Sequence, residues 1–126
     1  MGTFRKKIME YKARMINWKT ELENEFKMAQ EALDAKNRGK MRVCARRAAG
    51  VSIREYLIQR GIDPPSVSAY DLLKFLDEMD DTPLDLRQAS AYLRLRVTED
   101  FRLPVEVDLV AEAKKICTTL TPDWDQ

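Results

Sequence analysis

Apolar side chains recur at helical spacing along almost the whole chain, and no stretch alternates as a half-buried strand does. The first run is Phe4, Ile8, Tyr11, Met15, Trp18 and Leu22, at steps of four and three, continued by Phe26, Ala29 and Leu33. Glu, Lys, Arg and Asn fill the other faces. The pattern predicts an amphipathic helix of about 30 residues, longer than most. Asn17 marks a candidate break, with Thr20 able to start a second segment, which makes 1–17 a candidate N-terminal helical extension. Asn37-Arg38-Gly39 ends the run with residues that tolerate left-handed backbone.

The second run, Met41 to Gly61, is the stretch the others are expected to pack around. Met41, Ala45, Ala49, Ile53 and Leu57 form its stripe, flanked by Cys44, Ala48, Ser52 and Tyr56. Small side chains occupy the first half and large ones the second, which suits a neighbour that approaches closely and then diverges. Gly61 stands where a left-handed C-terminal cap belongs. So short a connection to the first helix predicts an antiparallel hairpin.

Ile62 to Val67 contains Pro64-Pro65 and reads as a rigid connection. Ser68-Ala69-Tyr70-Asp71 resembles a capping box with Asp in place of Glu or Gln. It opens a short helix, Tyr70 to Met79, carrying Leu72, Leu73, Phe75, Leu76 and Met79. Asp77, Glu78, Asp80 and Asp81 make its end acidic, against the helix dipole. Thr82 as N-cap, Pro83 at the first position and Asp85 in the first turn restart a helix. Its apolar face is Leu86, Ala89, Tyr92 or Leu93, and Leu95 or Val97. After Pro104 a final helix is expected from Val105 to Leu120. One side of it carries Val107, Val110, Ala111, the Lys114 stem and Cys117, and the adjoining side Leu109, Ala113, Ile116 and Leu120. Thr121 to Gln126 is a polar tail around Trp124. The fold expected is all-α: a single domain over 1–126, an antiparallel bundle of about five helices with a long N-terminal helical hairpin.

Composition narrows the chemistry. Lys and Arg total 22 and Asp and Glu 21, for a net charge of +1, so there is no global pull toward nucleic acid or membrane, and a polyanion site has to be a local patch. No apolar run reaches the roughly 20 residues that span a bilayer. The N-terminus is charged throughout and lacks a signal peptide's apolar core. Lys6 falls where a myristoylation signal needs Ser or Thr. A cytoplasmic protein with no membrane contact is expected. Cys44 and Cys117 are lone cysteines in a chain with no histidine, so buried free thiols are expected, with no metal and no cofactor.

The local patch is Arg38, Lys40, Arg42, Arg46 and Arg47. Arg42 and Arg46 share a helical face with Arg38 a turn earlier, a stripe able to hold phosphates. The competing reading is a solvated face pairing with Glu of the first helix. Arg87 and Arg94, seven apart, present the same choice. Ala49-Gly50-Val51-Ser52 also resembles the turn of a helix-turn-helix with Ile53 to Arg60 as recognition helix, although Arg46 stands where alanine is usual. Asp77 with Asp81, or Asp80 with Asp81, offer paired carboxylates to a cation, but their place at a helix end beside a Thr-Pro turn makes solvated capping charges the better reading. Trp18, Tyr56 and Tyr92 lie on apolar faces and read as core.

Taken in order, Ala45-Arg46-Arg47-Ala48-Ala49-Gly50, Tyr56-Leu57, Gly61, Asp71-Leu72-Leu73, Asp100-Phe101-Arg102-Leu103-Pro104 and Ala111-Glu112-Ala113-Lys114-Lys115-Ile116 resemble the HEPN domain. This is a helical bundle of prokaryotic toxin–antitoxin and defence systems, also found beside minimal nucleotidyltransferases. The resemblance spans about Trp18 to Leu120, and Phe101 to Pro104 resembles the Arg-Tyr-Pro turn of some members with an inserted Leu. Many HEPN domains are metal-independent ribonucleases whose site pairs an arginine with a histidine four to six residues later, across a dimer. This chain has Arg94, Arg96 and Arg102 in that region and no histidine. The resemblance therefore implies no catalytic residues. It implies a non-catalytic module for a partner protein, such as a nucleotidyltransferase-like one, or for a nucleotide or RNA. Arg42, Arg46, Arg94, Arg96 and Arg102 are its phosphate-binding candidates. The alternatives are a helix-turn-helix regulator and a histidine-independent ribonuclease using Glu99 or Asp100. A homodimer is also expected, with Phe4, Ile8, Tyr11 and Met15 of the long first stripe against a second copy.

Overall fold

The computed structural model describes the backbone of residues 2–96 and 106–125, and the side chains of 17–96 and 106–125. The described residues form five helices and no strand: α1 (Gly2–Asp34), α2 (Arg38–Gln59), α3 (Ala69–Glu78), α4 (Leu84–Leu93) and α5 (Leu109–Leu120). The chain is an all-α bundle, as its periodicity predicts. α2 is the central element and touches each of the other four. Cys44, Ala45, Ala48, Ala49, Ile53 and Leu57 are all buried along it.

α1 runs unbroken through Asn17 and Thr20, so no segment boundary divides it. Trp18, Leu22, Phe26, Ala29 and Ala32 face the core, and Leu33 is exposed. The stripe thus ends on Ala32, because continuing by three from Ala29 keeps it facing α2. The turn to α2 also lies earlier than Asn37-Arg38-Gly39. Lys36 takes the left-handed conformation at φ 60°. Its N–H reaches the Leu33 carbonyl, and the Asn37 N–H reaches that of Ala32. That pair of bonds is a Schellman motif with lysine at the left-handed position. Asn37 then caps α2, its side-chain oxygen accepting from the Lys40 N–H at 3.1 Å, and Gly39 is helical. At the other end of α2 the same motif uses glycine: Gly61 has φ 74°, and the N–H groups of Gly61 and Ile62 bond the carbonyls of Ile58 and Leu57.

The helix-turn-helix reading fails on this geometry. α2 stays helical through Gly50, and Ile53 and Leu57 are fully buried, leaving no recognition helix to project. Gly50 serves packing: a Cβ there would lie 3.0 Å from the Ala69 Cβ and 3.2 Å from its Cα, so its absence lets α3 cross close to α2.

Ser68 caps α3 as expected. Thr82 does not cap α4. Its hydroxyl turns back and donates to the Leu76 carbonyl at 2.7 Å, closing the end of α3, and Pro83 takes the N-cap position without a side-chain bond. The acidic end of α3 is answered by α4. Arg87 donates to the carbonyls of Met79, Asp80 and Thr82, and Arg94 pairs with Asp77 at 2.8 Å. Ser90, buried, donates to the Leu73 carbonyl.

α5 begins at Leu109 with Asp108 as its cap, later than the expected Val105, which lies outside the described residues. Its core side is Leu109, Val110, Ala113, Ile116 and Cys117, while Ala111 and Lys114 are exposed. The Ser52 and Thr121 hydroxyls meet at 2.8 Å inside the core and tie the end of α5 to α2. The tail is docked rather than merely polar: the Trp124 ring packs on Phe26 with centroids 5.1 Å apart. No helix among the described residues is long and apolar enough to cross a membrane.

Candidate functional site

A hollow of about 290 Å³ opens over the first turns of α2, lined by Gly39, Arg42, Val43, Arg46 and Arg96. Arg42 and Arg46 project from one face of α2 because they are four residues apart. The Arg42 guanidinium lies near Gly39: a Cβ there would sit 3.8 Å from Nη2, an ordinary van der Waals contact. Arg96 arrives from the segment that follows α4.

Arg46 brings that segment in. Its Nε donates to the Leu93 carbonyl and its Nη2 to the Leu95 carbonyl, each at 2.5 Å. The fork closes the C-terminal end of α4, where the helix dipole favours a cation. It also fixes Leu95 and hence the neighbouring Arg96. Burial first, and then the adjacent Arg42 charge, lower the Arg46 pKa, although an arginine stays protonated at any physiological pH.

Arg42 and Arg96 have neither a carboxylate nor a carbonyl partner among the described residues. Their neighbours differ. Arg47 pairs with Glu25 at 3.2 Å and Arg54 with Glu21 at 2.8 Å, both reaching across to α1. The basic set of α2 therefore divides. Its α1-facing members form the ion pairs of the solvated-face reading, and the members facing the end of α4 line a hollow with no counter-charge among the described residues.

Of the predicted phosphate ligands, the structure brings Arg42, Arg46 and Arg96 together and sends Arg94 elsewhere. Arg94 caps α4 and binds Asp77. Arg102, Glu99 and Asp100 lie outside the described residues, as do the side chains of Phe4, Ile8, Tyr11 and Met15. Among the described residues no cluster of His, Cys, Asp or Glu is arranged to hold a metal ion.

Two buried acids escaped the pattern reading. Glu25 is buried between Leu22 and Ala29 on the core stripe of α1, a position its spacing of three and four betrays. Desolvation raises its pKa above the ordinary carboxylate value, with Arg47 acting in the opposite direction. Glu55 is fully buried in α2 beside Arg54, whose Nε is 4.0 Å away. Cys44 and Cys117 are buried free thiols, and burial pushes Cys117 up to about 12, far from a reactive thiolate.

Chemically, the hollow can hold an anion. Its described lining carries no group that moves a proton near neutral pH. Compared with family models, with curated proteins and with solved structures, the chain matches none of them.

Proposed function

We propose that this chain is a non-catalytic, HEPN-like helical module that binds a phosphate-bearing ligand of nucleotide or RNA type in the hollow between α2 and the end of α4. The observation that carries this reading is the meeting of Arg42 and Arg96 with no described counter-charge, at a concavity whose third guanidinium, Arg46, is already held by carbonyls. Unpaired guanidiniums brought together repel, and a phosphate relieves that repulsion while accepting charge-assisted, bidentate hydrogen bonds. The absence of histidine supports binding over cleavage. The two buried free thiols suit a cytoplasmic setting.

The test is fluorescence anisotropy with labelled single-stranded RNA and labelled nucleotides, run as a salt series. Arg42→Gln with Arg96→Gln is expected to abolish most binding and to reduce the salt slope by about one per arginine. Arg60→Gln, on the opposite end of α2, serves as control. Equal binding by wild type and the double variant defeats the reading. RNA incubated with the protein in excess EDTA is expected to stay intact. Cleavage lost in Arg96→Ala or Arg102→Ala would instead make the chain a histidine-independent ribonuclease.

A second reading concerns assembly. α1 has 33 residues against 22 in its hairpin partner α2, so its apolar run is longer than one neighbour of that length covers. We propose a homodimer through Phe4, Ile8, Tyr11 and Met15, with a nucleotidyltransferase-like protein as the alternative partner. Light scattering at tens of micromolar, on wild type and on a variant carrying Ile8→Glu and Met15→Glu, decides it. A strict wild-type monomer counts against the dimer.

A further inference from the structure

We infer that the hollow selects a phosphomonoester over a phosphodiester, with Arg42 and Arg96 clamping one terminal phosphate and Arg46 acting as the positioning residue that sets their spacing. This rests on the phosphate-binding reading above and narrows it to a ligand class.

Three observations carry it. The first is charge. Two guanidiniums without a described partner face the hollow, and a phosphomonoester carries about −1.5 to −2 at pH 7, whereas a diester carries a single charge. The second is extent. A volume of about 290 Å³ accommodates one phosphate and the group that bears it, at the lower edge of ordinary ligand pockets. The third is the lining. Among the described residues the lining, Gly39, Val43 and three arginines, supplies no aromatic ring and no side-chain acceptor. Proteins that hold a single-stranded nucleic acid stack its bases on aromatic rings, and those that read bases use acceptors as well as donors. The described side chains here offer fork-shaped donors, and these match the three oxygens of a terminal phosphate. Arg46 stands apart because its Nε and Nη2 donate to the Leu93 and Leu95 carbonyls. Those bonds hold the segment bearing Arg96 against the helix bearing Arg42.

The lining also makes the proposal readable by pH. The described charged groups facing the hollow are Arg42, Arg46 and Arg96, all arginines, a side chain that is not deprotonated in proteins, and the chain has no histidine. Glu25, a described carboxylate whose pKa is raised, sits beside Arg47 and outside the lining. A change in affinity between pH 5 and 7.5 therefore reports the second ionisation of the ligand, near pH 6 for a phosphomonoester.

Isothermal titration of the full chain with ribose 5-phosphate, adenosine 5′-monophosphate and the dinucleoside monophosphate ApA tests this. The two monoesters are expected to bind within a few-fold of each other and about tenfold tighter than ApA, whose only phosphate is a diester. Monoester affinity is expected to fall about tenfold from pH 7.5 to pH 5, with unchanged circular dichroism. Arg42→Gln and Arg96→Gln are each expected to lose that selectivity. Arg46→Lys keeps a cation but not the fork, and is expected to lower the monoester-to-diester ratio, an effect that a purely structural role would not produce in a folded protein. Arg42→Lys, which preserves charge, stands in if Arg42→Gln fails to fold. Equal affinity for AMP and ApA, a flat pH profile, or a strong preference for AMP over ribose 5-phosphate overturns the inference and leaves phosphate binding standing. Binding of none of these, nor of RNA, overturns both.

Discussion

Arg46 in α2 and Leu93 at the end of α4 are joined by a 2.5 Å hydrogen bond from Nε to the backbone carbonyl, across 47 residues of sequence. The neighbouring Nη2 bonds the Leu95 carbonyl, so one side chain closes the α4 terminus and fixes the chain leaving it. The two helices otherwise make little contact, which leaves this fork as a main tie between them.

Arg46→Met keeps the apolar stem and removes both donors. Two carbonyls then lose charge-assisted partners, and a loss of about 1.5–3 kcal/mol is expected. Arg46→Lys should fall between, since one ammonium cannot reproduce the fork. Urea unfolding of the three proteins checks the order. Equal midpoints for Arg46→Met and wild type would show that water replaces the fork without loss.

Lys36 occupies the left-handed position of the α1–α2 turn at φ 60°, a conformation that costs a residue with a Cβ roughly 1 kcal/mol. Glycine adopts it freely but gains more entropy in the unfolded chain. Lys36→Gly is therefore expected to raise stability by about 0.5 kcal/mol. An unchanged or lower midpoint in thermal or urea unfolding contradicts this.

The sequence reached α2 and Gly61 correctly because periodicity and a glycine at a helix end are local signals. It misplaced the first turn because the backbone forces left-handed geometry on Lys36 while more tolerant residues stand just after it. Thr82 looked like an N-cap by type, yet its hydroxyl found the Leu76 carbonyl first. The site was half legible. Arg42 and Arg46 share a face by spacing alone. That Arg96 joins them while Arg94 turns to Asp77 follows from where α4 stops and which helices flank its end, a tertiary fact that no spacing encodes.

Gly50 lies in mid-helix, where alanine would be favoured by about 1 kcal/mol if nothing stood nearby. Ala69 stands nearby, 3.0 Å from a Cβ at that position, so α3 has to give by a few tenths of an ångström. The two effects oppose, and Gly50→Ala should leave stability within about 0.5 kcal/mol of wild type. Gly50→Leu cannot be absorbed by so small a shift. It is expected to cost about 1–3 kcal/mol or more and to loosen α3 first. Hydrogen exchange of α3 amides measures the loosening. Protection unchanged in a folded Gly50→Leu chain would mean that α3 is not held where it is by this contact.

Glu25 gives the stability a pH dependence whose sign follows from its surroundings. Burial raises its pKa above the ordinary 4.5; Arg47 lowers it, Glu21 raises it, and a hydrogen bond with Cys44 lowers it, in decreasing order of weight. The folded state thus holds a proton that the unfolded state has released. Between pH 4.5 and the raised folded value, rising pH removes that proton and stability declines; above the folded value this contribution is constant. Glu25→Gln removes the titrating group, so the decline on the alkaline side of pH 4.5 should flatten. At pH 7 the variant loses the ion pair with Arg47, whose side chain is 58% exposed, a pair of the kind that contributes less than about 1 kcal/mol. Relief of the buried charge offsets that loss, and the variant should be at least as stable as wild type there. Urea midpoints of both proteins, taken across this range, decide it: the same decline in Glu25→Gln would assign the titration to another group, and a large loss at pH 7 would mean that Arg47 outweighs burial.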